Sequence, residues 1–149
     1  MRGALLLLLA LGCGAPKEPA AVTEPAVPYA LETRRWQARP LLVFAPSADD
    51  PRLHTQLASV DAARAAMAER EMDDVRIVGE QGQANGAAMP ASEALALRAR
   101  FEVDAAAFAV VLVGKDGGEK FRAPAPVPMP KVFEIIDAMP MRREEMRAR

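Results

Sequence analysis

Six consecutive apolar residues, FAVVLV at positions 108–113, dominate the pattern of this chain. A short apolar run that is rich in β-branched valine and lacks polar alternation is typical of a strand covered on both faces. A second run, LLVFA at 41–45, is bounded by prolines and has the same character. The two runs predict neighbouring buried strands, with 108–113 central, in a sheet that needs helices against both of its faces.

A helix is predicted directly after the first strand. Asp49 or Asp50 can cap it and Pro51 suits its first turn, since a helix N-terminus favours both residue types there. Apolar residues then recur every three or four positions to about Arg70, as in an amphipathic helix. Asp73 and Asp74 come next and predict a turn.

The remaining elements alternate in the same way along the chain. They are a strand at 75–79, a polar loop at 80–90, a helix capped by Ser92, the strand at 108–113, a turn at 114–118, an outer strand at 119–122 and a helix from Pro130. Strands separated by helices are expected to run parallel, and the hairpin pair antiparallel. This order, β-α-β-α-β-β-α, predicts a thioredoxin-like α/β fold: a small mixed sheet with helices on both faces, the first helix on one and the last on the other.

Charge and residue counts exclude several classes of function. The chain has 19 Lys and Arg against 20 Asp and Glu, a net charge of −1, whereas nucleic-acid binders usually have a basic excess. Its single histidine and single cysteine cannot build a Cys/His zinc site, and one cysteine cannot form an intrachain disulfide. We therefore expect no metal, no cofactor and no nucleic-acid partner.

The first residues predict an export signal. A positive start at Arg2 precedes the apolar run 5–11, which is too short to span a bilayer. The string ALGC, which ends at Cys13, resembles a bacterial lipobox, in which the signal is removed before the cysteine and its thiol receives a lipid. We expect a signal peptide at 1–12 and a lipid on Cys13 as a membrane anchor. That lipoprotein would lie in the cell envelope, on the periplasmic or cell-surface side; a secreted protein without lipid is the alternative.

Residues 13–35 are predicted to be a tether. Proline, alanine and glutamate dominate the stretch up to about residue 30, and no apolar period interrupts them. Such a composition favours an extended linker that cannot bury a core. The folded domain is therefore assigned to residues 36–149.

Four strings in the domain closely resemble the family called domain of unknown function 4174. They are RPLLVFAPSADD at 39–50, AERE at 68–71, VVLVGKDGGEKFR at 110–122 and IDAMPMRREEM at 136–146. The resemblance covers about 36–147. It implies a thioredoxin-like fold near that of the peroxiredoxins, and a redox role that has been suggested for the family. It also implies an extracytoplasmic location, because the family includes small secreted bacterial proteins and modules of vertebrate extracellular proteins with sushi repeats.

Thiol chemistry in such a fold needs a cysteine where the first strand meets the first helix, because the helix N-terminus stabilises a thiolate. Here that junction reads APSADD at 45–50, without sulfur, and no proline stands just before the strand at 108–113. We therefore expect no thiol-dependent activity. Asp49, Asp50 and His54 at this junction are candidate binding residues for a cation or for acid–base work. Helix capping by the aspartates and a solvated histidine is the simpler interpretation.

The C-terminal sequence mixes methionine with arginine. Arg142 and Arg143 are candidate residues for binding a protein partner, since both residue types suit adaptable interfaces. The alternative is a helix end whose methionines pack on the sheet. Lys115 lies in the predicted turn, and the spacing around it does not match a phosphate-binding loop.

Together these features predict an envelope-anchored binding or structural module. A divergent oxidoreductase-like enzyme and an adhesion or envelope-assembly module are the alternatives. An active-site cysteine would have favoured the enzyme, and the junction at 45–50 has none.

Overall fold

The computed structural model describes residues 25–149, which form a six-stranded mixed sheet with helices packed on it. The elements in chain order are α1 (Leu31–Arg34), β1 (Arg39–Ala45), α2 (Pro51–Ala62), α3 (Arg64–Glu69), β2 (Met72–Val78), β3 (Gln81–Ala84), β4 (Ala87–Met89), α4 (Ala91–Arg100), β5 (Ala109–Val113), β6 (Glu119–Ala123), α5 (Met129–Asp137) and α6 (Pro140–Arg147). The strand order is β4-β3-β2-β1-β5-β6. The predicted mixed α/β sheet is confirmed, and it is consistent with a thioredoxin-like fold.

The neighbouring strands β1 and β5 separate two apolar cores. The prediction that the strand at 108–113 is central is wrong, because β2 and β1 occupy the middle of the sheet and β5 lies next to the edge strand β6. On one face, Leu42 and Val111 pack with α4 and with residues just before β1. On the other face, Leu41 and Leu112 pack with both α2 and α5. The prediction that the first and last helices lie on opposite faces is therefore wrong. Both α2 and α5 cover one face of the sheet. The other face is covered by α4 and by the residues that precede β1.

Strand β5 runs antiparallel to β1, with Leu41 opposite Leu112, so the predicted parallel pairing is wrong. Only β1 and β2 are parallel among the strands of residues 25–149. The reason lies in the segment between α4 and β5. The guanidinium of Arg98 binds the carbonyl oxygens of Ala45, at the end of β1, and of Asp104. That segment therefore lies at the end of the sheet where β1 finishes. Strand β5 begins there and runs back alongside β1 in the opposite direction.

Residues 80–90 form a β-hairpin rather than a polar loop. Its turn is Asn85-Gly86, and both residues have positive φ, 51° and 85°. Asn-Gly is the strongest short signal for this kind of hairpin, so the local sequence does predict it. The turn predicted at Asp73 and Asp74 is also wrong, because both residues are buried within β2, where their carboxylates bind arginines.

The helix boundaries differ from prediction in three places. The helix after β1 is interrupted at Ala63, whose φ of −110° separates α2 from α3. Helix α4 begins after Pro90, and the N-terminus has no side-chain cap, so Ser92 does not serve as one. The last predicted helix is two helices, because α5 ends at Asp137 and Pro140 begins α6.

Residues 27–36, which we call the N-terminal strap, run across the sheet from β4 to the residues that follow β5. The amide of Val27 binds the carbonyl of Ala88 on β4, Tyr29 and Leu31 are buried, and the amide of Trp36 binds the carbonyl of Lys115 after β5. Packing against the sheet thus begins before the predicted boundary at residue 36. Cys13 and the predicted signal lie outside the described residues, and no helix within 25–149 is both long and apolar enough to cross a bilayer.

Candidate functional site

The junction between β1 and α2 is organised by Asp50. Its Oδ1 accepts a hydrogen bond from the backbone amide of Arg52 at 2.9 Å, and its carboxylate pairs with the guanidinium of Arg52 at 2.6 Å. These bonds from Arg52 hold the pKa of Asp50 below its ordinary value. His54 is exposed, with Nε2 2.7 Å from the carbonyl oxygen of Ala48. Asp49 is exposed, and no three acidic, His or Cys side chains of residues 25–149 are placed to share a metal ion.

Asp50, rather than Asp49, caps α2, and this gives a direct prediction. Asp50→Ala is expected to lower the thermal unfolding midpoint, because the amide of Arg52 and its guanidinium both lose their acceptor. Asp49→Ala, the matched control one residue earlier, is expected to leave the midpoint unchanged. Circular dichroism melts of the two variants check this, and equal effects of the two substitutions would contradict the assignment.

Arg98 lies at the same end of the sheet, where β1 and β2 finish, and is almost fully buried. Its guanidinium donates to the carbonyl oxygens of Ala45 at 2.7 Å, Gly79 at 3.1 Å and Asp104 at 2.9 Å, and it lies 5.7 Å from the centre of the Phe44 ring. Burial lowers the pKa of this guanidinium. Because Arg98 joins the ends of β1 and β2 to the loop before β5, it holds this edge together.

The opposite end of the sheet carries a network of ion pairs between buried and partly exposed side chains, which we call the charged cluster. Its members are Arg39, Arg70, Glu71, Lys115, Asp137, Arg142 and Glu145. They come from the start of β1, the residues before β2, the turn after β5, the end of α5 and helix α6. Each of the four strings that carry the family resemblance contributes at least one member. Residues far apart in sequence are thus brought to a single place.

Glu145 is the centre of the charged cluster. Its Oε1 accepts from the Arg39 guanidinium at 2.9 Å and from Lys115 Nζ at 2.7 Å. Lys115 also pairs with Glu71, and Arg39 donates to the carbonyl of Arg70 at 2.9 Å. Arg39 is only 1% exposed, so its charge depends on these partners for solvation.

Arg142 and Arg143 have different surroundings, although the sequence treats them alike. Arg142 is buried and donates to Asp137 Oδ1 at 3.3 Å and to the carbonyl of Glu69 at 3.1 Å. Arg143 is exposed. The structure therefore places Arg142 in the charged cluster and leaves Arg143 at the surface.

The charged cluster predicts a particular response to acid. Burial by itself raises the pKa of Glu145, but hydrogen bonds from Arg39 and Lys115 outweigh it and lower the pKa from 4.5 to about 2. A carboxyl whose pKa is lowered by folding stabilises the fold above its unfolded-state pKa, and that contribution is lost as the pH falls. We therefore expect wild type to lose this stability between pH 4.5 and about pH 2.

Glu145→Gln tests this response. The variant is expected to be less stable than wild type at neutral pH, because Arg39 and Lys115 keep their charges and lose a carboxylate partner. Its stability should also fall less steeply between pH 4.5 and about pH 2. Urea unfolding at a series of pH values measures both effects, and parallel profiles for the two proteins would refute the role given to Glu145.

A cavity of about 330 Å³ opens beside the charged cluster. It lies between the turn at 114–118 and the corner where α5 meets α6. Arg39, Lys115 and Lys120 line it together with the apolar residues Met139, Pro140 and Met141. Its lining is thus mainly apolar, with charged groups, Asp116 among them, at its border.

The structure thus describes a small mixed α/β domain with a sulfur-free junction at 45–50 and a cavity beside the charged cluster. The chain belongs to the family described as Domain of unknown function (DUF4174), whose model matches residues 30–145. This match includes most of the N-terminal strap and all of the charged cluster.

Several curated proteins are similar to this chain. Coiled-coil domain-containing protein 80 of Danio rerio is 27% identical over 75% of this chain and 15% of its own length. The sushi repeat-containing protein SRPX of Rattus norvegicus and that of Homo sapiens are each 32% identical, over 72% of this chain and 24% of their own length. The chain thus spans about a quarter or less of these relatives. No solved structure matches it significantly.

Sequence reasoning singled out Arg142 but missed that it converges with the other residues of the charged cluster, and it missed the buried role of Arg98. A usable signal was present for the charged cluster. Each of the four family-like strings contains charged residues next to the end of a predicted strand or helix, where side chains of different elements meet. For Arg98 the local pattern gives no such signal, because an arginine on a weakly amphipathic helix is ordinarily solvated.

Proposed function

We propose that this protein is a binding module of the bacterial cell envelope that carries out no thiol chemistry. The observation that supports this most directly is that the only cysteine of the chain is Cys13, so the junction at 45–50 offers no thiolate. The charged groups at that junction already hold the fold, Asp50 as a helix cap and Arg98 as a link between strand ends. The chain also corresponds to a small part of its larger relatives, which is typical of a module within a multidomain protein.

The module is held to a membrane by a lipid on Cys13, on the periplasmic or cell-surface side. The lipobox-like ALGC supports this anchor, and the proline-rich residues after it would serve as a spacer up to the N-terminal strap. The membrane and a protein are the partners in this proposal, and nucleic acid is not one, since the chain is nearly neutral. Secretion without lipid is the alternative location.

Cys13→Ser tests the anchor. Wild type is expected to fractionate with membranes and to need detergent for extraction, whereas the variant should be released or accumulate with its signal uncut. Intact-mass measurement of the mature wild-type protein should show a lipid-modified N-terminus at Cys13. A mature protein that begins elsewhere and has no lipid would contradict the anchor and favour the secreted form.

A divergent oxidoreductase-like enzyme is the second candidate, because the sheet is consistent with a thioredoxin-like fold. Assays of the full-length chain with disulfide and peroxide substrates separate the two candidates. We expect no turnover above buffer, in wild type and in Cys13→Ser alike. Robust turnover in a preparation free of other thiol enzymes would replace the binding proposal with the enzyme.

Adhesion or envelope assembly is a narrower form of the binding proposal. The sushi repeats in the names of two relatives support it, because they indicate that the similar region lies within repeat-containing proteins. Fold similarity alone does not fix a function, so this narrower role depends on finding the partner.

A further inference from the structure

The N-terminal strap fills a defined site on the rest of the domain, residues 39–149, which we call the body. Tyr29 and Leu31 of the strap are buried in the core that α4 also covers. The body residues that bind the strap by hydrogen bonds come from β2, β4 and α4, and we call them the strap site: Asp73, Ala88, Glu93 and Arg100. A short segment of the chain thus binds a site that is built entirely by residues later in the sequence.

The strap also holds its own shape. The amide and the hydroxyl of Thr33 both donate to the carbonyl of Ala30, at 3.0 and 2.7 Å. The side chain of Glu32 pairs with Arg35 at 3.5 Å. Because these bonds do not involve the body, the strap can bind an identical site on another molecule without a change in its own structure.

A strained hinge, residues 35–38, connects the strap to β1. The amides of Gln37 and Ala38 both bind the carbonyl of Arg34, at 3.1 and 3.0 Å, so the chain turns tightly after α1. The turn places Trp36 at a φ of 66°, a left-handed conformation that bulky residues rarely adopt. Short hinges under strain favour exchange of the segment between copies, because opening the hinge releases the strain.

We propose that two copies of this chain exchange straps, so that the strap of each copy binds the strap site of the other in a symmetric dimer. The occupant is a second copy because the structure already shows this segment bound to this site. The contacts between strap and strap site are kept, since the second copy supplies identical residues. The hinge changes: it extends, and Trp36 leaves the left-handed conformation.

The length of the hinge determines where the two copies meet. Four extended residues span only about 13 Å, so the two bodies must touch beside the hinges. In the closed chain the amide of Trp36 binds the carbonyl of Lys115 at 2.6 Å, and Trp36 is 61% exposed. In the dimer the two hinges lie side by side and cover this side chain. The exchange does not depend on the proposed binding function, although a dimer would present two binding surfaces and raise avidity.

Cross-linking between two differently marked copies tests the exchange. Full-length chains with Cys13→Ser each carry one new cysteine, either Val27→Cys or Ala88→Cys, at exposed positions that the Val27 amide and the Ala88 carbonyl join at 2.7 Å. After refolding together at high concentration in detergent, a short bis-maleimide is expected to link the two copies. In the control mixture Asp49→Cys, at an exposed position of the junction at 45–50, replaces Ala88→Cys and should yield about tenfold less product. Equal yields would show random collision and would overturn the exchange.

A chain with both cysteines distinguishes exchange from simple association. In its monomer, Val27→Cys and Ala88→Cys should be linked within one chain, which also shows that the reagent reaches both positions. In its dimer, separated by size exclusion before treatment, the links should join two chains. A dimer whose links stay within each chain would show that two closed copies associate, and the inference would be wrong.

Trp36→Gly and Trp36→Val form a matched pair for the hinge. Both variants lose the indole, but glycine tolerates a left-handed φ and the β-branched valine does not. Trp36→Val is therefore expected to dimerise about tenfold more tightly than Trp36→Gly in sedimentation equilibrium. Equal dimerisation constants would show that strain in the hinge does not favour exchange.

The wild-type chain has its own readout, because Trp36 is the only tryptophan. Its emission should shift to shorter wavelength as the dimer forms, in parallel with the cross-linking yield. If wild type and Trp36→Val both stay monomeric after refolding at high concentration, the inference is wrong. Capture of an envelope protein by the monomer would then be unaffected, so the exchange and the proposed binding function fail separately.

Discussion

Asp73→Ala is expected to lower the free energy of unfolding by about 3–5 kcal/mol, the range seen when one partner of a buried ion pair is removed. The carboxylate is 4% exposed. It accepts from Arg34 at 2.7 and 3.0 Å, from the Tyr29 hydroxyl at 2.8 Å and from Asn85 Nδ2 at 2.9 Å. Burial by itself raises the pKa of Asp73, and the hydrogen bonds from Arg34, Asn85 and Tyr29 bring it below its ordinary value.

The loss should be largest in the N-terminal strap, because Tyr29 and Arg34 hold the strap on the sheet through this one carboxylate. Urea unfolding measures the global effect. Limited trypsin digestion measures the local one, since release of the strap exposes the bonds after Arg34 and Arg35. Asp49→Ala, an exposed aspartate, is the control and should change neither. A strap that stays protected in Asp73→Ala would contradict the role of Asp73.

Leu112→Ala is expected to lower the free energy of unfolding by about 2–5 kcal/mol, through lost burial and the cavity that remains. Leu112 is fully buried in the centre of β5, between Leu41 on β1 and Phe121 on β6. It belongs to the core that α2 and α5 cover, so little backbone movement can close the space it leaves. Small domains have only about 5–15 kcal/mol of total stability, so the effect is a large share.

Leu95→Ala is the matched control for this substitution. The side chain of Leu95 is 49% exposed on α4, and its truncation should change stability by less than about 0.5 kcal/mol. Thermal or urea unfolding compares the two variants under identical conditions. A Leu112→Ala protein as stable as Leu95→Ala would show that β5 is not the centre of the core.

The elements with strong local signals were predictable from the sequence. The runs at 41–45 and 108–113 lie in two neighbouring, fully buried strands, β1 and β5, and Asp50 followed by Pro51 begins the helix after β1. In each case neighbouring residues carry the whole signal, as a continuous apolar run or as a cap. The direction of β5 was not predictable in the same way, because it follows from the place of the loop before β5, which lies at the end of β1 and is bound there through Arg98.

The burial of the charged groups was not predictable from the local sequence either. Asp73 and Asp74 have the composition of a turn, and only their distant partners make them acceptable inside a strand. Arg142 and Arg143 are adjacent and chemically identical, yet helix geometry buries one and exposes the other. Ion pairs between residues far apart in sequence determine whether such charged residues are buried. Neither composition nor local spacing predicts those pairs.

One measurement tests the binding proposal most directly: capture from detergent-solubilised envelope membranes by the immobilised full-length chain, with all thiols blocked by N-ethylmaleimide. We expect saturable, stoichiometric capture of a defined protein. Blocking the thiols should make no difference, because the folded residues contain no cysteine. The absence of any saturable partner, or turnover of a disulfide or peroxide substrate that persists in Cys13→Ser, would contradict it.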